Sequence, residues 1–337
     1  MTPSRSAALV GMLGVVVGSN GCSRADVYAI TGKPSTDGSV GDDGNPAMDG
    51  SVGNDGNPAT DGSGAADSAK PVTCPSPALK PDDTRKTVKV NSVDRSYVLH
   101  IPPTYGGNKP VPLVVDFHMG GDSGSTELSS SLYPAETDPE GVVMAFPDGT
   151  KGPAGTGWNI GPCCVPKTVD DVAFAKALVA QVQTIACIDP DRVYAVGVGT
   201  GGGMAYYLAC QAADVFAAVA PAAWDLLAEN VDDCNPSRSI TEISFRGTAD
   251  VVVPYAGGFS SAIPGMSITF LGAQATFEKW ASIDRCTGSP STIDSNGCST
   301  YSSCRDGVEV VLCTKQDGHQ DPGDASVAWP VLKRHTL

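Results

Sequence analysis

Arg192-Val-Tyr-Ala-Val196 runs into Gly197-Val-Gly-Thr-Gly-Gly-Gly203 and then into Met204-Ala-Tyr-Tyr-Leu-Ala-Cys210. An apolar, β-prone run, a glycine-dense turn and a helix-compatible segment read as strand, sharp turn, helix. Gly197 and Gly201 occupy both glycine positions of a G-x-S-x-G turn, where small flanking residues let a strained backbone lift a serine hydroxyl above the end of a sheet. The position between them is Gly199. The chain keeps the mounting of a nucleophile and lacks the nucleophile's side chain.

Two other loop types also cluster glycines between a strand and a helix. A phosphate loop of the Walker type is excluded, because no Lys-Ser or Lys-Thr follows the glycines. Gly197, Gly199 and Gly202 fit the G-x-G-x-x-G spacing of a dinucleotide loop, with Asp214 near the acidic position. Yet the turn comes mid-chain, after earlier strand-like runs, instead of opening a first βαβ unit.

Outward from the turn, strand-like runs fall at 87–93, 97–101, 113–117, 142–146, 193–196, 217–220, 240–245 and 308–312. Helical patterns fall at 169–185, 203–211, 273–283 and 326–335. Strands alternating with helices of this length predict a doubly wound α/β domain over 73–337, with a mostly parallel central sheet covered on both faces.

The first 72 residues have another character. Residues 1–21 combine Arg5, an apolar run at 7–17 and small residues, which predicts a signal peptide too short to span a bilayer as a mature helix. Its end, Gly18-Ser-Asn-Gly-Cys22, is lipoprotein-like and makes Cys22 a candidate for lipidation, with an ordinary secretory signal as the alternative. Residues 22–72 are rich in Gly, Asp, Asn and Pro, and a 12-residue repeat starts at Asp37 and again at Asp49. Calcium loops use such residues, but no copy supplies the bidentate Glu that closes an EF-hand loop, so a disordered acidic spacer is expected.

Eleven cysteines in an exported chain point to an oxidising compartment. With Cys22 set aside, ten remain, enough for five disulfides whose pairing the sequence leaves open. Cys286, Cys298, Cys304 and Cys313 suggest staples of a loop-rich C-terminal region, and the adjacent Cys163 and Cys164 read as structural rather than redox or metal-binding. A net charge of −15 argues against nucleic acid as a partner.

Serine-type acyl transfer on such a fold needs an acid and a histidine after later strands, in that chain order. Of the four histidines, His100 and His118 precede the turn and His335 lies near the chain end, which leaves His319 in Gln316-Asp-Gly-His-Gln320. The acid is most simply Asp250, in Arg246-Gly-Thr-Ala-Asp250. An oxyanion hole needs one N–H from the residue after the nucleophile position, Thr200, and one from an earlier loop, where Met119 or Gly120 follows Asp116-Phe-His118. His118 is expected to shape that loop.

These residues and several further segments resemble the polyhydroxybutyrate depolymerase and feruloyl esterase family of secreted α/β-hydrolases. The segments are Arg95-Ser-Tyr-Val-Leu-His-Ile-Pro-Pro103, Phe146-Pro-Asp-Gly149, Gly157-Trp-Asn159 with Cys163-Cys164, Phe216-Ala-Ala-Val-Ala-Pro221, Val253-Pro-Tyr255 and Gly318-His319. The resemblance covers nearly all of 95–337. It implies a disulfide-rich α/β-hydrolase fold and carboxylic-ester hydrolysis without metal or organic cofactor. It further implies an ester-bearing polymer or small ester as ligand, and Trp158 is expected at the substrate. A monomer is expected, and the signal-like start places it outside the cytoplasm or on the cell envelope. Family members carry serine where Gly199 stands, and histidine is common where Arg246 stands. The expectation is therefore a family member with lost or greatly reduced turnover. The alternative is an active esterase using Thr200 or water activated by His319.

Overall fold

The computed structural model describes residues 72–153, 155–263, 265–319 and 322–337. The expected signal peptide, Cys22 and the repeat-bearing spacer lie outside the described residues. The run that ends at the glycine turn is the strand Ile188–Val198, and it sits in the middle of the main sheet.

Thirteen strands occur among the described residues: β1 Asp82–Val90, β2 Val93–Ile101, β3 Val111–Phe117, β4 Val143–Pro147, β5 Thr150–Gly152, β6 Gly155–Gly157, β7 Ile188–Val198, β8 Ala218–Ala222, β9 Thr241–Gly247, β10 Gly258–Ser260, β11 Ile268–Phe270, β12 Cys298–Tyr301 and β13 Val310–Lys315. The helices are α1 Gly124–Ser130, α2 Tyr133–Thr137, α3 Asp171–Ile185, α4 Thr200–Gln211, α5 Ala273–Ile283 and α6 Ala325–Leu332. Nine strands form one sheet in the order β1-β2-β4-β3-β7-β8-β9-β13-β12. From β4 to β13 all neighbours are parallel, and antiparallel strands close both edges.

The apolar runs of β3 and β7 follow from burial on both faces. Leu113, Val115, Val193 and Ala195 point into a core shared with Phe174 and Leu178 of α3, Leu208 of α4, and Phe277 and Trp280 of α5. Their neighbours Val114, Tyr194 and Val196 point to the opposite core, with Tyr133 of α2 and Ala328, Trp329 and Leu332 of α6. Period-2 alternation along a central strand thus feeds two helical layers. This is the α/β-hydrolase fold expected from the sequence.

All ten cysteines of the described domain are paired: Cys74–Cys187, Cys163–Cys164, Cys210–Cys234, Cys286–Cys304 and Cys298–Cys313. Cys286, Cys298, Cys304 and Cys313 do staple the C-terminal region, where Cys298 and Cys313 lie opposite each other on β12 and β13. The expected helix at 326–335 is shorter, ending at Leu332. His335 lies beyond it, with Nε2 3.4 Å from Glu309 Oε2.

Candidate active site

At the C-terminal end of β7 the backbone turns into α4 through Gly199, at φ 56° and ψ −124°. L-residues with side chains rarely adopt this conformation, and it is the strain a nucleophile turn stores. Close approach accounts for the flanking glycines. A Cβ on Gly197 would lie 2.6 Å from the Phe117 carbonyl oxygen, and one on Gly201 only 1.8 Å from it. The end of β3 therefore packs directly under the first turn of α4, which brings the loop after β3 beside Gly199.

That loop carries His118 and Met119. The His118 ring accepts a hydrogen bond at Nε2 from Gly149 N–H (2.9 Å) and donates from Nδ1 to the Met119 carbonyl (2.7 Å). Burial lowers the imidazole's affinity for a proton, against smaller opposing effects from the Met119 hydrogen bond and nearby carboxylates. His118 thus braces the loop as a neutral ring. Trp158, expected at the substrate, is fully buried. Its indole N–H donates to the His118 carbonyl (2.9 Å), and its ring meets Phe117 edge-on at 5.1 Å. With no surface to offer a ligand, Trp158 supports the loop from behind.

The acid and the histidine arrive on the loops after β9 and β13. Thr248 N–H donates to the Lys315 carbonyl (2.9 Å) and Ala249 N–H to the Asp317 carbonyl (3.0 Å), so the two loops are stitched together. Asp250 Oδ2 meets His319 Nδ1 at 2.9 Å, while Oδ1 accepts from the Val252 and Val253 N–H groups at 2.8 Å each. Burial alone would raise the Asp250 carboxyl. The His319 hydrogen bond, the Val253 and Val252 N–H groups and the charge of the imidazole together hold it below the ordinary carboxylate range. The acid stays ionised and orients the imidazole. The other nitrogen, His319 Nε2, lies 3.5 Å from where a Cβ on Gly199 would sit.

Thr200 opens α4, ahead of the first intrahelical bond from Gly203 N–H to the Gly199 carbonyl (3.0 Å). Among the described residues neither Thr200 N–H nor Met119 N–H has a backbone partner. Asp214, the acidic residue of the dinucleotide reading, instead pairs with Lys176 on the surface at 2.8 Å.

Sequence reasoning missed the group that holds the acid loop. Arg246 is fully buried on β9, forms an ion pair with Asp225, and donates from Nη2 to the Val253 carbonyl (2.7 Å), the residue whose N–H binds Asp250. The signal was an arginine next to the last residue of a strand that is buried along its whole length. Its partner, in the loop after β8, carried no signal of its own.

The chain is 40% identical over 247 residues to feruloyl esterase B of Piromyces equi, an alignment covering 72% of this chain and 46% of that protein. It is 33% identical over 180 residues to a probable feruloyl esterase C of Aspergillus oryzae, covering 52% and 61%. The chain thus spans about half to three fifths of the length of these relatives. Among solved structures, acetyl xylan esterase from Aspergillus awamori superposes with a TM-score of 0.57 at 12% identity, covering 74% of this chain and 99% of that one, which shows the fold. No family profile matches the chain.

Proposed function

Since the chain belongs to the esterase family that includes the feruloyl esterases, we propose that it is a family member that binds esters without turning them over at enzymatic rates. The observation that carries this reading is Gly199 at the strained turn, with His319 Nε2 3.5 Å from the missing Cβ. Asp250 and His319 remain hydrogen-bonded at 2.9 Å, so acid and base are in place with no oxygen nucleophile between them and the oxyanion donors. Loss of the nucleophile in such a triad costs a rate factor of order 10⁶ and leaves roughly 10³ to 10⁴ over water from binding and the oxyanion hole. In this reading His319 and Asp250 are the vestigial base and its orienting acid. The N–H groups of Thr200 and Met119 are the oxyanion donors.

The ligand is an ester-bearing polymer or a small ester, recognised by the monomer without metal, organic cofactor or nucleic acid. Five disulfides favour an oxidising location outside the cytoplasm. The lipoprotein-like residues ahead of Cys22 favour attachment to the cell envelope through that residue.

Restoring the nucleophile tests the reading. A Cβ at position 199 meets only ordinary contacts, 3.4 Å to Met119 Cβ and 3.5 Å to His319 Nε2. Gly199→Ser is expected to raise hydrolysis of short p-nitrophenyl or methyl feruloyl esters by at least about 10²-fold. The gain should vanish on adding His319→Ala. Ordinary enzymatic turnover by the unmodified chain, lost on Thr200→Ala, would overturn the proposal in favour of an active esterase.

A further inference from the structure

Asp250 is gripped by two backbone N–H groups, and one of them is backed by a side chain on another element. Strand alternation along the short β10 turns Phe259 out to solvent and Ser260 inward, where it is buried. The Ser260 hydroxyl donates to the Val252 carbonyl at 2.7 Å and accepts from Ala262 N–H at 3.3 Å. The hairpin of β10 and β11 is thereby pinned to the acid loop. The Val252 carbonyl and the Val253 N–H are the two ends of one peptide unit, and that N–H donates to Asp250 Oδ1 at 2.8 Å. The path from Ser260 to the carboxylate therefore crosses a single peptide.

A peptide unit is planar, so a donor that fixes the direction of its carbonyl also fixes the direction of its N–H. Hydrogen bonds in series polarise one another, and a polarised N–H is a stronger donor to a carboxylate. Against burial, which raises the Asp250 carboxyl, the His319 hydrogen bond and then this N–H are the foremost opposing holds. Arg246 makes no such relay: it donates to the Val253 carbonyl, whose peptide nitrogen belongs to Pro254 and carries no hydrogen. We propose, resting on the reading of Asp250 as the acid that orients His319, that Ser260 is a positioning residue, which aims the Asp250 carboxylate through the Val252–Val253 peptide. With the hydroxyl removed, the Val252 carbonyl loses its donor and the grip on Oδ1 weakens. Oδ2 of the same carboxylate, 2.9 Å from His319 Nδ1, then holds the imidazole less well aimed.

Two measurements on the full chain test it: carbon NMR titration of the Asp250 carboxyl, which needs no turnover, and steady-state hydrolysis of methyl ferulate in the Gly199→Ser background. Ser260→Ala is expected to move proton uptake by Asp250 upward by about 0.3 pH unit or more. Added to Gly199→Ser, it should lower kcat about tenfold while KM stays within about twofold. Ser260→Thr, which keeps the hydroxyl, should restore both, with circular dichroism verifying the fold of each variant. A hydroxyl that only ties down the hairpin would lower the thermal midpoint and leave the Asp250 titration and kcat unmoved, and that result would overturn the proposal. Equal losses in Ser260→Thr and Ser260→Ala would trace the effect to packing and overturn it too. A Gly199→Ser chain without turnover that depends on His319 would instead overturn the reading of the acid and base, while the titration still decides whether Ser260 controls the Asp250 carboxylate.

Discussion

At position 199 activity and stability are expected to pull apart. With φ at 56°, a serine there occupies a conformation that costs about 1–3 kcal/mol, whereas glycine occupies it freely. Gly199→Ser should therefore lower the thermal midpoint by roughly 2–6 °C in a domain of this size even as it creates turnover. Calorimetry of the two chains checks it, and an unchanged midpoint would show that the turn relaxes. Arg246 answers to a different term. Replacing it with leucine leaves the buried Asp225 without its ion-pair partner, a loss of about 3–5 kcal/mol in urea unfolding, and the double variant Asp225→Leu/Arg246→Leu should recover much of it. These two residues also mark the limit of reading the chain. Asp250 and His319 could be named from their order behind the turn. Asp225 could not, because its buried ion pair is made where the loop after β8 meets the strand β9 in space.

At the scale of elements, α1 is held over β3 by carboxyls that resist ionisation. Asp116 on β3 is buried and accepts from the Ser131 hydroxyl at 2.6 Å, and Glu127 on α1 is buried nearby. Burial pushes Asp116 up to about 7 and Glu127 to about 9, with Asp116 and Asp122 adding to the shift of Glu127. In the unfolded chain both lose their protons near pH 4. Between there and about pH 9 the native state binds more protons than the unfolded state, so stability falls as pH rises through that window. Burial also raises Asp225 and Asp284 to about 7, which steepens the lower half. Glu127→Gln should flatten the curve between pH 7 and 9 by up to about 1.4 kcal/mol per pH unit relative to the unmodified chain. Parallel curves would remove Glu127 from the account. Neither α1 nor α2 was legible in the sequence, since seven and five residues are too short to display a helical period. The four-residue β12 was hidden likewise, its place at the sheet edge fixed by pairing with β13 and by Cys298–Cys313. The long central elements were legible because burial on both sides of a parallel sheet writes itself as an unbroken apolar run. The expected strand at 87–93 instead crosses a turn, where Asn91 and Ser92 take positive φ between β1 and β2.

For the whole molecule the disulfides set where the stable domain begins. Cys74 lies ahead of β1 and is bonded to Cys187, 113 residues away and one residue before β7. In the chain-entropy model a loop of that length is worth about 4–5 kcal/mol, against about 3 kcal/mol for the 15-residue separation of Cys298 and Cys313. Residues ahead of Cys74 contribute no cysteine to any of the five bonds, and their composition is poor in the large apolar side chains a core needs. Limited proteolysis that stops short of Cys74 should therefore leave the thermal midpoint where it was. Cutting beyond Cys74, or replacing Cys74 and Cys187 by serine, should lower stability by more than replacing Cys298 and Cys313. Titration of the denatured, unreduced chain should find at most one free thiol, that of Cys22. A midpoint that falls when only the residues ahead of Cys74 are trimmed would move the domain boundary into the repeat-bearing segment, and with it the reading of that segment as a spacer.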